Sequence, residues 1–309
     1  MKTNFPPRIA VLCGPTGVGK TSVAIEIASV LNAEIISADS MQVYRYMDIG
    51  TAKPSALEQA RIPHYMIDIV DPDDPFDAQR YADMSQNIIL QLAEQGIPVL
   101  VVGGTGFYIR ALIHGLFESG SSNLEIRNWL AEEARNKGTA ELYHRLRECD
   151  PIAATRIHVN DTYRIVRALE IYETTGQPIS SCHQKHQMAP PLFDVLKIGL
   201  SRQREVLYER INYRVDLMVE EGLCSEVRSL LKRGYTSVLK PLQSIGYRHI
   251  LDFFEGCLNW DDTLKTLKQD TRRYAKRQLT WFNSDSQVKW IDANHIDEIF
   301  DNVKAFLSP

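Results

Sequence analysis

One stretch, Gly14-Pro15-Thr16-Gly17-Val18-Gly19-Lys20-Thr21, constrains this chain more than any other. It follows the apolar run Ile9-Ala10-Val11-Leu12-Cys13 and precedes a helix-like segment from Ser22 to Leu31. Strand, glycine-rich turn, Lys-Thr and helix form the setting of a phosphate-binding P-loop. The glycines let the main chain wrap so that successive N–H groups face an anion. The helix N-terminus adds the positive end of its dipole. Lys20 supplies a point charge, and the Thr21 hydroxyl can sit on a Mg²⁺ ion. The chain is therefore expected to bind a di- or triphosphate. The motif leaves open which one and what is done with it.

The segments that follow alternate between strand and helix. Ala33 to Ser40 reads as a strand ending at Asp39, and His64 to Val70 as a third short strand. Asp77 to Glu94 has helical spacing, with Tyr81, Met84, Ile88 and Leu92 on one side. Ile97 to Val102 is apolar throughout, as a central parallel strand should be, and runs into Gly103-Gly104-Thr105. This alternation predicts an α/β fold: a P-loop NTPase-like parallel sheet with flanking helices. Ligands of such sheets bind beyond the carboxyl ends of the strands. Lys20, Thr21, Asp39 and Thr105 all fall at such ends.

After residue 119 the texture changes. Residues 123–175 are strand-poor and helical in pattern, with helix starts at Asp150-Pro151 and Asn160-Asp161. Val195 to Leu200 is strand-like again, and helices are expected over roughly 203–221, 223–233, 247–255, 261–282 and 295–307. The expected organisation is thus a first part of the core over 1–118, a helical insertion domain over 119–190, and a return to the core with C-terminal helices over 191–309. A chain of 309 residues has enough core for two domains. The longest apolar runs are strand-length, so no membrane span is expected. Residues 1–7 show no signal-peptide pattern, and the five cysteines are widely spaced with no zinc pattern, which fits the reducing cytoplasm. A net charge of −4 argues against general nucleic-acid stickiness but leaves room for a local basic face.

The use of the P-loop is less constrained. The strand ending Val101-Val102-Gly103-Gly104 carries no carboxylate of the kind motor NTPases place on Mg²⁺, which weakens an ATPase reading. A small-molecule kinase remains open on these grounds. In the alternative, the loop holds a diphosphate leaving group, and Asp39 takes a proton from an attacking amine or hydroxyl. By chemistry alone Asp39 could equally be a metal ligand or a helix cap. Thr105 could donate to a leaving-group oxygen or simply close a turn.

Further blocks narrow the choice: residues 36–54 (Ile-Ser-Ala-Asp-Ser-Met-Gln-Val-Tyr-Arg-Tyr-Met-Asp-Ile-Gly-Thr-Ala-Lys-Pro), Val102 to Tyr108, Arg210 to Val215, Ile245 to Arg248, and Lys276 to Phe282. In order and type these blocks and the P-loop resemble the tRNA dimethylallyltransferases, also called tRNA isopentenyltransferases, over nearly the whole chain. The resemblance implies dimethylallyl diphosphate as donor, with Mg²⁺, and the N6 amine of the adenosine 3′ of the anticodon as acceptor. It implies Asp39 as general base, with Thr105 near the bridging oxygen of the donor. It gives Gly14, Thr16, Gly17, Gly19, Lys20, Thr21, Arg210 and Arg214 to the diphosphate, Arg214 with a catalytic part and Thr21 on the metal. Without the motif, Arg214 would read as a solvated charge or a salt bridge.

For the acceptor, the resemblance points to the tRNA anticodon stem-loop. Ser40, Met41 and Gln42 lie beside the flipped adenine. Tyr163, Arg164 and Arg167 come from the insertion. Gln243, Gly246, Tyr247 and Arg248 form another RNA segment, and Lys276, Arg277, Gln278 and Trp281 another on a basic helix. Taken alone, Gln42 also reads as a loop-stabilising amide, and the basic helix as a solvated face. Tyr46 stands where the family commonly has Gly, and Phe107 where Leu or Met is common. The chain ends at Pro309 with no appended Cys/His pair, resembling the compact bacterial type, and a monomer is expected. An isopentenyltransferase acting on free adenine nucleotides is the nearest alternative; the RNA-facing segments after residue 240 argue against it.

Overall fold

The computed structural model describes residues 6–116, 123–182 and 191–308. Residues 1–5 and 119–122, read above as leaderless start and domain junction, lie outside the described residues.

β1 (Arg8–Cys13) is buried beyond its first residue and turns through the glycine-rich loop into α1 (Lys20–Leu31). β2 (Glu34–Ala38), α2 (Ala56–Arg61), β3 (His64–Tyr65), α3 (Ala78–Glu94), β4 (Val99–Gly103) and α4 (Gly106–His114) follow. The helical stretch contains α5 (Leu124–Lys137), α6 (Thr139–Cys149), α7 (Pro151–Arg156) and α8 (Thr162–Thr175). The chain then returns as β5 (Asp194–Ser201), α9 (Arg204–Glu220), α10 (Leu223–Lys232), a 3₁₀ turn at Lys240–Gln243, α11 (Tyr247–Phe254), α12 (Trp260–Asn283), β6 (Val288–Asp292) and α13 (Ile296–Leu307).

The six strands form one parallel sheet in the order β3-β2-β4-β1-β5-β6. The apolar strand read at 97–102 is β4, buried at every position between β1 and β2. Gly103 ends it for a steric reason: a Cβ there would lie 2.1 Å from the Ala38 carbonyl oxygen. β3 is shorter than the expected strand over 64–70, because Met66 and Asp68 take φ of 64° and 54° and break the extended run. Neither α2 nor β6 was expected. The buried positions of β6 are Val288 and Ile291, three apart, so no strand alternation signals it.

Two compact units result, Met1–Ile113 with Leu192–Pro309 and His114–Pro191, where the sequence reading set the breaks at 118/119 and 190/191. In the first, the α1 residues Val23 and Ile27 pack with Leu12, Leu200, Ile211 and Val303, so the helix behind the P-loop is anchored in the main core. The second has its own core of Leu130, Leu142, Leu146, Ile165 and Leu169. The helix starts at Asp150-Pro151 and Asp161 are as expected: Asp150 accepts from the Ala153 N–H, with Pro151 opening α7, and Asp161 accepts from the Arg164 N–H.

A buried charge also holds the helical unit. Glu170 is 0% exposed, with Arg127 at 2.8 Å and Arg167 at 2.9 Å. Burial pushes its pKa up, but the two arginines outweigh that and hold it below the ordinary value. Its contribution is therefore complete above the unfolded value of about 4.5 and fades as pH falls through the lower folded value. Glu170→Ala leaves two guanidinium groups without their shared carboxylate and is expected to cost about 3 kcal/mol, read as a lower urea midpoint at neutral pH. The gap between variant and wild type should close under acid conditions.

Candidate active site

A cavity of about 420 Å³ opens beyond the carboxyl ends of β1, β2 and β4, within the first unit. One wall is the P-loop. Gly17 and Gly19 take φ of 80° and 108°, which side-chain-bearing residues rarely adopt, and this turns the main chain into α1. The loop is gripped on its carbonyl side: Arg210 Nε donates to Gly17 O at 2.9 Å and Arg202 Nε to Val18 O at 2.8 Å. With its carbonyls tied back, the loop keeps its amide face toward the cavity. Lys20 Nζ donates to Gly14 O and Pro15 O, both at 2.9 Å. Burial lowers the Lys20 pKa to about 8; Asp39 opposes that shift and Arg214 adds to it.

Of the expected donor-binding residues, Thr16, Gly17, Gly19, Lys20, Thr21 and Arg210 line the cavity, as does Arg214. Gly14 is buried, and a Cβ on it would lie 2.8 Å from Leu200 O. Burial, and then the Arg210 charge, pushes the Arg214 pKa below its usual range, while Asp39 and Glu221 oppose that. Lys20, Arg210 and Arg214 thus concentrate positive charge at one end of a partly desolvated cavity, where an anion is favoured.

Asp39 lines the same cavity one residue past β2. Its Oδ1 accepts from Met41 N at 2.8 Å and Gln42 N at 3.3 Å, a turn that fixes the carboxylate. Thr105 is not among the cavity-lining residues. Its Oγ1 accepts from Ser40 N at 3.0 Å and lies 3.5 Å from Ser40 Oγ, to which it can donate. Tyr274 does line the cavity; burial and the Asp39 charge push its pKa up to about 12, so it stays a neutral donor. No motif marks Tyr274, one aromatic in a charged helix, and only the packing of α12 against the sheet reveals it.

The acceptor-side residues divide. Gln42 lines the cavity, but its amide is occupied: Nε2 donates to Thr51 O and Ala52 O, and Oε1 accepts from Ser37 Oγ. The loop-stabilising alternative is what this geometry shows. Ser40 and Met41 are half-buried beside it. Tyr247, expected on RNA, is a correction; Gln278, expected there too, lines the cavity with its amide occupied by main chain. Gln278 is buried, accepting from Thr16 N at 2.8 Å and donating to Gly104 O at 2.9 Å. Tyr247 is 0% exposed, with its hydroxyl on Glu226 at 2.6 Å. Both face inward because their helices pack that face on the core, which a sequence match cannot separate from surface contact. Gly246 is buried as well.

Lys276, Arg277, Trp281 and Gln243 are exposed, and Arg248 is half-exposed and paired with Asp270. Elsewhere on α12, Lys268 pairs with Asp216 at 2.6 Å and Arg272 with Asn212 at 2.5 Å, so part of the basic stripe is already occupied. Tyr163 and Arg164 are exposed on α8 of the helical unit, and Arg167 there pairs with Glu170. The sequence reading missed Arg202, which braces the P-loop without belonging to its motif.

Two outcomes follow from this geometry. Inorganic diphosphate should bind less tightly as pH rises through about 8, because the Lys20 ammonium is lost there; calorimetric titration should show this trend in wild type but not in Lys20→Met. Gln278→Leu strands the Thr16 N–H and the Gly104 carbonyl, and should lower stability by about 2–4 kcal/mol in thermal unfolding.

The chain matches the family model described as IPP transferase over residues 42–285. A tRNA dimethylallyltransferase of Desulfosudis oleivorans is 52% identical, with 97% of this chain and 96% of that protein covered. One of Syntrophobacter fumaroxidans is 47% identical, covering 94% and 85%. The full-length tRNA isopentenylpyrophosphate transferase of Bacillus halodurans superposes with a TM-score of 0.72 at 40% identity, covering 97% and 96%. A eukaryotic dimethylallyltransferase caught acting on tRNA gives a TM-score of 0.81 at 30% identity, covering 94% and 75%. The chain belongs to the IPP transferase family, a family of prenyltransferases.

Proposed function

We infer that this chain transfers a dimethylallyl group from dimethylallyl diphosphate to N6 of the adenosine 3′ of the anticodon in tRNA. The observation that carries the reading is the convergence of the P-loop, Asp39 and Arg214 on one cavity. An anion site and a fixed carboxylate share that space. The C1–O bond of the donor breaks and the C1–N6 bond forms, while one N6 proton passes to Asp39 and diphosphate leaves. An exocyclic adenine amine is a weak nucleophile, so a positioned base contributes. Charge grows on the leaving diphosphate, facing Lys20, Arg210 and Arg214 and the loop amides. Thr105 acts through its hydrogen bond from Ser40 N, steadying the turn that carries Asp39.

Among the described residues no group of three or more His, Cys, Asp or Glu is arranged to hold a metal ion. Thr21 is a hard oxygen donor on the cavity wall. It fits Mg²⁺, which takes one or two protein oxygens together with substrate phosphates and water. When bound, the ion would neutralise diphosphate charge. For the acceptor we propose, on the first unit, the exposed groups Lys276, Arg277, Trp281 and Gln243 with the paired cation Arg248, and separately, on the helical unit, Tyr163 and Arg164 with the paired cation Arg167.

The working unit we propose is a monomer. Among the described residues no helix is long and apolar enough to cross a membrane. All five cysteines are free thiols, as the cytoplasm would keep them.

The test is incubation with dimethylallyl diphosphate, Mg²⁺ and an unmodified anticodon stem-loop, followed by mass spectrometry of the RNA. Wild type should add one dimethylallyl group. Asp39→Ala should lower the rate by about 10²–10⁴-fold. Transfer to free AMP but not RNA would move the activity to free nucleotides; no transfer to either by folded protein would refute it.

A further inference from the structure

Glu226 lies outside the cavity, on α10, yet four donors converge on its carboxylate. Oε2 accepts from Asp48 N at 2.9 Å and Ile49 N at 2.8 Å. Oε1 accepts from Gly50 N at 3.1 Å and from the Tyr247 hydroxyl at 2.6 Å. The Tyr247 ring closes against Gly50, where a Cβ would lie 2.5 Å from it. A carboxylate suits this place because it only accepts and offers about four lone-pair directions for four donors.

The loop so held leads back to the proposed base. Thr51 O and Ala52 O each accept from Gln42 Nε2 at 3.2 Å. The Gln42 N–H in turn donates to Asp39 Oδ1. The loop needs outside support, since Tyr46 and Ala52 sit at φ of 67° and 50°, costing about 1–2 kcal/mol each. Lys53 supplies part of it, donating to Tyr44 O at 2.6 Å, Asp48 Oδ1 at 2.6 Å and Asp68 Oδ1 at 2.5 Å. Glu226 supplies the link to the helices on the far side.

We propose that Glu226 is a positioning residue for prenyl transfer: it fixes residues 48–50, the loop they belong to anchors the Gln42 side chain through Thr51 O and Ala52 O, and the main-chain N–H of Gln42 so held closes the turn that aims Asp39. This rests on Asp39 being the proton acceptor. The P-loop does not depend on the same link, because Gln278, Arg202 and Arg210 hold it from elsewhere. Catalysis and diphosphate binding should therefore separate.

The test uses the full chain as wild type, Glu226→Ala, Glu226→Gln and Tyr247→Phe. Three quantities are measured: amide hydrogen exchange without substrates, stem-loop prenylation kinetics, and binding of inorganic diphosphate. In Glu226→Ala, exchange should accelerate at residues 41 and 42 as well as at 48–50. Its kcat should fall about 100-fold, as a misplaced group predicts, with the diphosphate Kd within about twofold of wild type. Glu226→Gln keeps one carbonyl oxygen for Asp48 and Ile49 and should recover to within about tenfold of wild type. Faster exchange confined to 48–50 with kcat unchanged would overturn the proposal, as would equal losses of kcat and diphosphate affinity. If Glu226→Ala does not fold, Tyr247→Phe decides: a drop in kcat of about threefold or more supports the link, and no drop overturns it. If wild type transfers nothing, the functional reading fails, and exchange at residues 41 and 42 alone decides whether Glu226 holds the Asp39 turn.

Discussion

The Gln278 carboxamide is the joint on which this site depends. It is buried between two backbone groups, accepting from Thr16 in the P-loop and donating to Gly104 after β4. The match is close: a Cβ on Gly104 would lie 2.1 Å from Gln278 Nε2. One side chain of α12 thus ties together the anion loop of β1 and the turn of β4. A buried amide whose donor and acceptor are both satisfied by main chain has one orientation, so it transmits position as well as stability. The Thr16 N–H is consequently a structural donor, and the loop must take an anion with its later amides, Lys20 and the arginines.

Charge is distributed to match. Lys20, Arg210 and Arg214 line the anion end, and Asp39 stands against them. The Lys20 ammonium donates to Gly14 O and Pro15 O, which satisfies it without closing the cavity. Burial lowers the pKa values of both Lys20 and Arg214, the cost of keeping cations in a poorly solvated place. An anionic donor offsets that cost, so binding and charge relief are one event. Tyr274 stays protonated for the same reason of burial and can donate a hydrogen bond without adding charge.

The other half of the site is held by loops rather than by the sheet. Residues 39–54 follow β2 with little regular structure, and two of them, Tyr46 and Ala52, take left-handed backbone conformations. Such a segment keeps one shape only when its polar groups are fixed from outside. Glu226, Tyr247, Lys53 and Gln42 do this. On the proposed function the division is physically sensible: a diphosphate calls for a rigid cradle of main-chain amides, and a base aimed at an incoming nucleotide calls for a wall built around it.

The sequence by itself determined the P-loop, the parallel sheet and the family, because each is a local signal. Glycine spacing, an all-apolar strand and contiguous blocks such as residues 36–54 need no partner to be recognised. It also placed Asp39, Lys20, Thr21 and Arg214, because they sit inside those blocks. Only the tertiary structure decided which residues of the same blocks turn inward. Gln278 and Lys276 lie two positions apart on α12, yet one is buried on two backbone groups and the other is exposed. Tyr247 and Gln243 diverge in the same way. Arg202 and Glu226 carry no motif at all; their roles come from contacts 184 and 178 residues away in the chain. A block match records that a residue type is required, and the fold alone says whether its partner is a ligand or another part of the chain.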